Sequence, residues 1–201
     1  MHYPALALLE FSSIAMGIIA GDAMVKRAPV ARIQTGTVQP GHYLVLVVGD
    51  VASVDEAVQA GLLIGEATLR DRLFLPDVHP GVVAALAGER RPSGGEALGI
   101  IETHTVAAAI LAADAGIKGA EVALVQLRLG DGLGGQGLVL FTGFVADVMA
   151  AVDIAVGVVR TRSSMAECVR YQAVIPQLQA EMRENIEASG RFGDHFGWGA
   201  Y

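Results

Sequence analysis

The fold class predicted is α/β (α+β), with two tandem ferredoxin-like domains of order β-α-β-β-α-β. An internal repeat, a linker-like segment between its copies and the same strand–helix alternation in each copy predict it. Residues 5–34 align without gaps on residues 97–126, and thirteen of those thirty positions are identical. Glu10/Glu102, Asp22/Asp114, Lys26/Lys118 and Gln34/Gln126 are among them. After a two-residue length difference the match resumes, with YLVLVVGDVASVDEAVQAG over LVLFTGFVADVMAAVDIAV. A period of about 92 residues is too long for a solenoid and suits a duplicated domain. The segment GERRPSGGE, residues 88–96, has the Gly, Pro and charge of a linker. The division expected is 1–90, 95–188 and a Gly/aromatic tail, 189–201.

Each copy opens on a short apolar strand, 4–10 or 96–102. A helix follows from the N-cap candidates Ser12 or Thr103 to Lys26 or Lys118. Ile14, Ile18 and Val25 mark its apolar face at helical spacing in the first copy. Strands at 30–37 and 43–48, or 122–129 and 138–142, then form a hairpin around a glycine-containing loop. A second helix spans about 53–68 or 146–158, with Val54, Val58, Leu62 and Gly65 on one face of the first. The last strand, about 69–75 or 168–175, stops at Pro76 or Pro176. A final helix is expected at about 176–188. This order is the split βαβ pattern, which leaves one sheet face open to a partner.

Hydrophobic residues make up 53% of the 201-residue chain and charged residues 17%, so a packed core is expected. Mean hydropathy is high at +0.49. No apolar run approaches the roughly 20 residues of a membrane helix, and Met1 to Glu10 lacks the pattern of a signal peptide. The surplus apolar surface is therefore expected at subunit interfaces. A net charge of −7 argues against nucleic acid. The single cysteine, Cys168, forms no intrachain disulfide and reads as a small buried hydrophobe in a cytoplasmic protein.

The residues resemble the bacterial microcompartment shell domain. The resemblance rests on the runs ALALLE and ALGIIE, each followed by an Asp-Ala pair and then Lys26 or Lys118. Gly49-Asp50-Val51, Leu75-Pro76-Asp77-Val78-His79 and Val174-Ile175-Pro176 extend it. It covers about 4–87 and 96–186 and is closest to the tandem class of propanediol-utilisation shells. It implies a homotrimer whose six domains imitate a hexamer and tile with other shell proteins around cargo enzymes. It also implies a central pore for small polar metabolites, with no cofactor, no membrane contact and no enzymatic activity.

Carried onto this sequence, the pore loops are Thr37–His42 and Gly130–Gly137, with Val38, Gln39, Pro40, Gly41, Gly132, Leu133, Gly134 and Gly135 as lining residues. Loops crowding one axis need glycine, because only a missing Cβ permits close backbone approach. Where iron–sulfur members of the class carry a cysteine, this chain has Gln39. An iron–sulfur cluster needs thiolates, so a neutral hydrogen-bonding constriction is expected. Lys26, Lys118, Asp77, His79 and Gln177 are the tile-edge candidates; Asp77 and Gln177 replace the arginine usual in the family.

The plain structural readings are hairpin glycines, lysines at helix C-termini and Asp22 and Asp114 as hydrogen-bonding residues. His42, His79 and His104 lack metal-ligand spacing. In the tail, Phe192, Phe196, Trp198 and Tyr201 read either as a loose end or as a docking segment. GxSxG, P-loop and HExxH motifs are absent. The alternative reading is a trimeric ferredoxin-like regulatory protein that binds a small molecule.

Overall fold

The structure is a computed structural model, and it describes residues 4–165 and 167–188. The expected tail, 189–201, lies outside the described residues.

The first half runs β1 (Ala5–Phe11), α1 (Ile14–Arg27), β2 (Arg32–Val38), β3 (His42–Gly49), α2 (Val51–Gly65), β4 (Leu69–Leu75) and α3 (Pro80–Leu86). The second runs β5 (Ala97–Thr103), α4 (Val106–Gly119), β6 (Ala123–Leu129), β7 (Gly137–Gly143), α5 (Val145–Arg162), β8 (Val169–Pro176) and α6 (Ala180–Ala188). The two antiparallel sheets have matching orders, β2-β3-β1-β4 and β6-β7-β5-β8. The first-born strand of each half is central, so the split βαβ pattern holds in both.

Strand β1 is buried along its whole length. Its alternation sends Ala5, Ala7, Leu9 and Phe11 into a core shared with Ala20, Met24, Val54 and Val58 of α1 and α2. The opposite face carries Leu6 and Leu8, which belong with Leu73 and Leu75 to a second core that includes α4 of the other half. One hydrophobic core therefore spans both halves.

Several expectations shift. The N-caps are Ser13 and Thr105, whose hydroxyls accept the N–H of Met16 and Ala108. Ser12 instead donates to the Thr68 carbonyl, and Thr103 closes β5. The second alignment block moves by one residue: Leu44 stands opposite Glu10 as Leu138 stands opposite Glu102, so Gly49 matches Gly143. Ile14, Ile18 and Val25 do not face the core. Gly17, Ala20, Gly21 and Met24 do, because α1 lies so close to β3 that a Cβ on Gly17 would meet Tyr43. Helix α3, started by Pro80 at its first turn, was not expected. Cys168 is buried just before β8, with Sγ 3.5 Å from the Val159 carbonyl.

Candidate functional site

The two expected loops lie against each other at one end of the molecule. Val38, 7% exposed, packs on Gly130, and Gly135 sits on the Gln39 carbonyl and His42. Both contacts require glycine: Gly130 and Gly135 have φ of 73° and 80°, and a Cβ on either would collide with the neighbouring loop. Val38 and Gly135 are thus inside the loop-to-loop contact. Gln39, Pro40, Gly41, Gly132 and Gly134 are exposed at the tips, and Leu133 is half-buried. The loops differ in construction. The first turns through a cis Gln39-Pro40 bond and Gly41, and the second through four glycines of positive φ, Gly130, Gly132, Gly134 and Gly135.

Behind the first loop lies a polar cluster that joins the halves. Glu10, fully buried, receives Arg70 Nη1 at 2.6 Å on one oxygen and the Val106 N–H, at the start of α4, at 2.9 Å on the other. A carboxylate there suits the positive end of the helix. Burial nevertheless outweighs the Arg70 cation and the Val106 N–H and pushes the Glu10 carboxyl up to about 7, with Asp71 adding to the rise. His42 Nδ1 lies 2.6 Å from Arg70 Nη1. Burial and that cation hold the imidazole below its usual range, so it accepts as a neutral ring. Next along the joint, Asp71 receives Thr105 Oγ1 (2.6 Å), Ser163 Oγ (2.9 Å) and the Ser164 N–H (3.0 Å).

The tile-edge candidates fall partly in this joint. Asp114 accepts the His79 N–H at 2.8 Å and Lys118 Nζ at 2.7 Å, and Lys118 also donates to the Asp77 carbonyl. His79 caps α3 through Nδ1. Lys26 is exposed and, among the described residues, pairs with Asp22 one turn earlier at 2.5 Å. Gln177 is exposed, with φ of 55°, and its N–H donates to the Glu96 carbonyl.

Sequence reasoning placed the loops but missed Glu10, Asp71, Thr105 and Ser163 as a joint. The available signal was a glutamate in an otherwise apolar strand, repeated in both copies. Among the described residues, no group of three His, Cys, Asp or Glu could hold a metal ion, and no helix is long and apolar enough to cross a membrane. A cleft of about 600 Å³ beside α3 is lined by Leu6, Leu46, Val48 and Val83, with Arg32 and Gln34 its polar groups. It gathers no acid–base pair or nucleophile.

Comparison with known proteins follows the two halves. The BMC domain profile matches residues 5–78 and again 97–178. The chain is 36% identical to the bacterial microcompartment shell protein PduT of Citrobacter freundii, over 91% of this chain and 98% of that one. It is 29% identical to the carboxysome assembly protein CcmO of a Synechocystis strain, over 76% of this chain and 57% of that one. Among solved structures, a microcompartment protein from Desulfitobacterium hafniense superposes with a TM-score of 0.76 at 38% identity, covering 91% of this chain and 99% of that one. A fused permuted hexameric shell protein shares the fold alone, at 22% identity and a TM-score of 0.55, covering 77% of this chain and 81% of that one. None of these matches points to the regulatory alternative.

Proposed function

The chain belongs to the BMC domain family, and from that premise we propose that three copies close into a flat pseudohexameric ring with the loop tips around its axis. It is a structural component of a bacterial microcompartment shell, as its relatives are. The finer reading is a passage for small polar metabolites bounded by Gln39, Pro40 and Gly41 alternating with Gly132, Leu133 and Gly134. The observation that carries it is the side-by-side seating of the two loops, one from each half, with their glycine-rich tips exposed. Such tips present backbone N–H and C=O groups and one neutral amide, so selection would be by size and hydrogen bonding rather than by charge. No covalent chemistry enters this reading. Lys26, Lys118, Asp77, His79 and Gln177 are proposed to lie near the perimeter, where neighbouring shell proteins meet the ring. Cargo enzymes would lie behind one face.

Replacing Gln39 with Trp tests the passage. Assembly by electron microscopy is expected to be unchanged, with rings that show a central hole in the parent protein. Exchange of a small polar solute across assembled shells is expected to slow. Unchanged exchange would place the passage elsewhere, and parent particles without a ring would remove the reading.

A further inference from the structure

The two halves treat one groove differently. In each, the helix after the closing strand stands beside the edge strand of its sheet, α6 beside β6 and α3 beside β2. In the second half the chain itself occupies the groove. Leu178 and Ile186 pack on Leu98 and Leu140. The linker then runs between α6 and β6. Its Arg91 N–H donates to the Val125 carbonyl at 3.2 Å, and Arg90 Nη2 to the Ile186 carbonyl at 3.2 Å. The Ser93 N–H and hydroxyl both reach Glu187, at 2.7 and 2.8 Å. About 250 Å³ of space remains there.

In the first half Leu6 and Leu46, the counterparts of Leu98 and Leu138–Leu140 on their sheet face, line the open cleft of about 600 Å³ instead. Val83 and Leu86 of α3 share its apolar wall, and Arg32 and Gln34 of β2 supply its polar groups. Arg32 has no ion pair among the described residues. An apolar wall with a few polar groups is the usual make-up of a binding cleft.

We propose that this cleft is the docking site of the chain's own segment 189–201, with Phe196 and Trp198 against its apolar wall and Asp194 facing Arg32. Position favours this occupant. Arg90 holds the Ile186 carbonyl, two residues before the end of α6, and follows by three residues Ala87, which lines the cleft. Three residues and an arginine side chain span about 20 Å, whereas thirteen extended residues span about 43 Å. Attachment to the same chain gives such a segment a local concentration on the order of millimolar. Composition favours it too. Phe192, Phe196, Trp198 and Tyr201 fall within these thirteen residues, against 5% aromatics in the whole chain. Aromatic rings bury large apolar area, and Asp194 is opposite in charge to Arg32. Docking closes the cleft to other apolar ligands, as the linker closes its counterpart, and it does not depend on ring formation.

Trp198 is the one tryptophan of the chain, so its fluorescence reports this segment alone. In the full-length parent, short-wavelength emission and weak quenching by acrylamide are expected, unchanged on dilution to the monomer. Val83 is 46% exposed, so Val83→Asp puts a charge in the cleft at little cost to the fold. It is expected to shift the emission to the red and to raise quenching severalfold. Should Val83→Asp disturb the fold by circular dichroism, Arg32→Glu, which repels Asp194, decides by the same readout. A solvent-exposed Trp198 in the parent overturns the proposal. A shielded Trp198 that ignores the cleft variant places the segment elsewhere and overturns it as well. Shielding lost on dilution would assign the cleft to the segment of a second copy, against the proposal.

Discussion

Helices α1 and α4 derive from the same repeated stretch, and Ile18 and Ile110 occupy the same position in it. Ile110 is 0% exposed and Ile18 is 53% exposed. From Val106 to Asp114 every residue of α4 is buried, because its own sheet lies on one side and the sheet of the first half on the other. Helix α1 has only its own half to lie on. A helical hydrophobic pattern records which faces will be covered, not when or by which chain. The half with a covered partner face shows what the other half is built to meet.

The largest expected effect breaks this comparison directly. Ile110→Asp should destabilise the chain by about 4 kcal/mol or more, since it buries a charge in a dry core. Ile18→Asp should leave unfolding of the isolated chain within about 0.5 kcal/mol of the parent, as for most exposed positions. Denaturant titration of the two variants, compared with sedimentation, separates the closed joint from the open one. Equal losses would mean that the two helices are not used differently.

A smaller effect reads the buried glutamate of the closed joint. Burial raises Glu10 from its ordinary 4.5 to about 7, so the folded chain holds a proton that the unfolded chain releases between those values. Stability should therefore fall as pH rises from about 4.5 to about 7, by roughly 3 kcal/mol in total. Below that window both states are protonated and the slope vanishes. Glu10→Gln, which keeps an acceptor for the Val106 N–H, should flatten the slope. Chemical unfolding at several pH values reads the slope, and an unaltered one in Glu10→Gln would assign it to another group.

The smallest effect sharpens the comparison of α2 with α5. Gly157 matches Leu63, is exposed, and a Cβ there would meet nothing within 4 Å. Gly157→Ala should stabilise the chain by about 0.5–1 kcal/mol through helix propensity alone. Thermal unfolding checks it. A loss would show that this face of α5 has a partner.

The repeat, the strand order, both loops and the family were legible in the sequence, because apolar alternation and glycine placement are local signals. The buried face of α1 was not. Its core side is made of Gly17, Ala20 and Gly21, small residues that carry little hydropathy but allow close approach, while the large Ile14 and Ile18 point outward. The N-caps were displaced by one or two residues because Ser12 and Ser13, or Thr103 and Thr105, offer similar hydroxyls. Only the path of the chain decides which of them reaches the helix N–H groups. The joint was hidden for a different reason. Glu10 and Asp71 acquire their partners from residues 34 to 96 positions away, and no local pattern records that.

The shared core also governs how the chain can be made. During synthesis Leu6, Leu8, Leu73 and Leu75 leave the ribosome before α4 exists, so the first half emerges with one sheet face uncovered. A complete first half is therefore not a finished product. It becomes one when Val106 to Ala113 arrive, and a chain cut off in the linker would present that apolar face to whatever lies nearby.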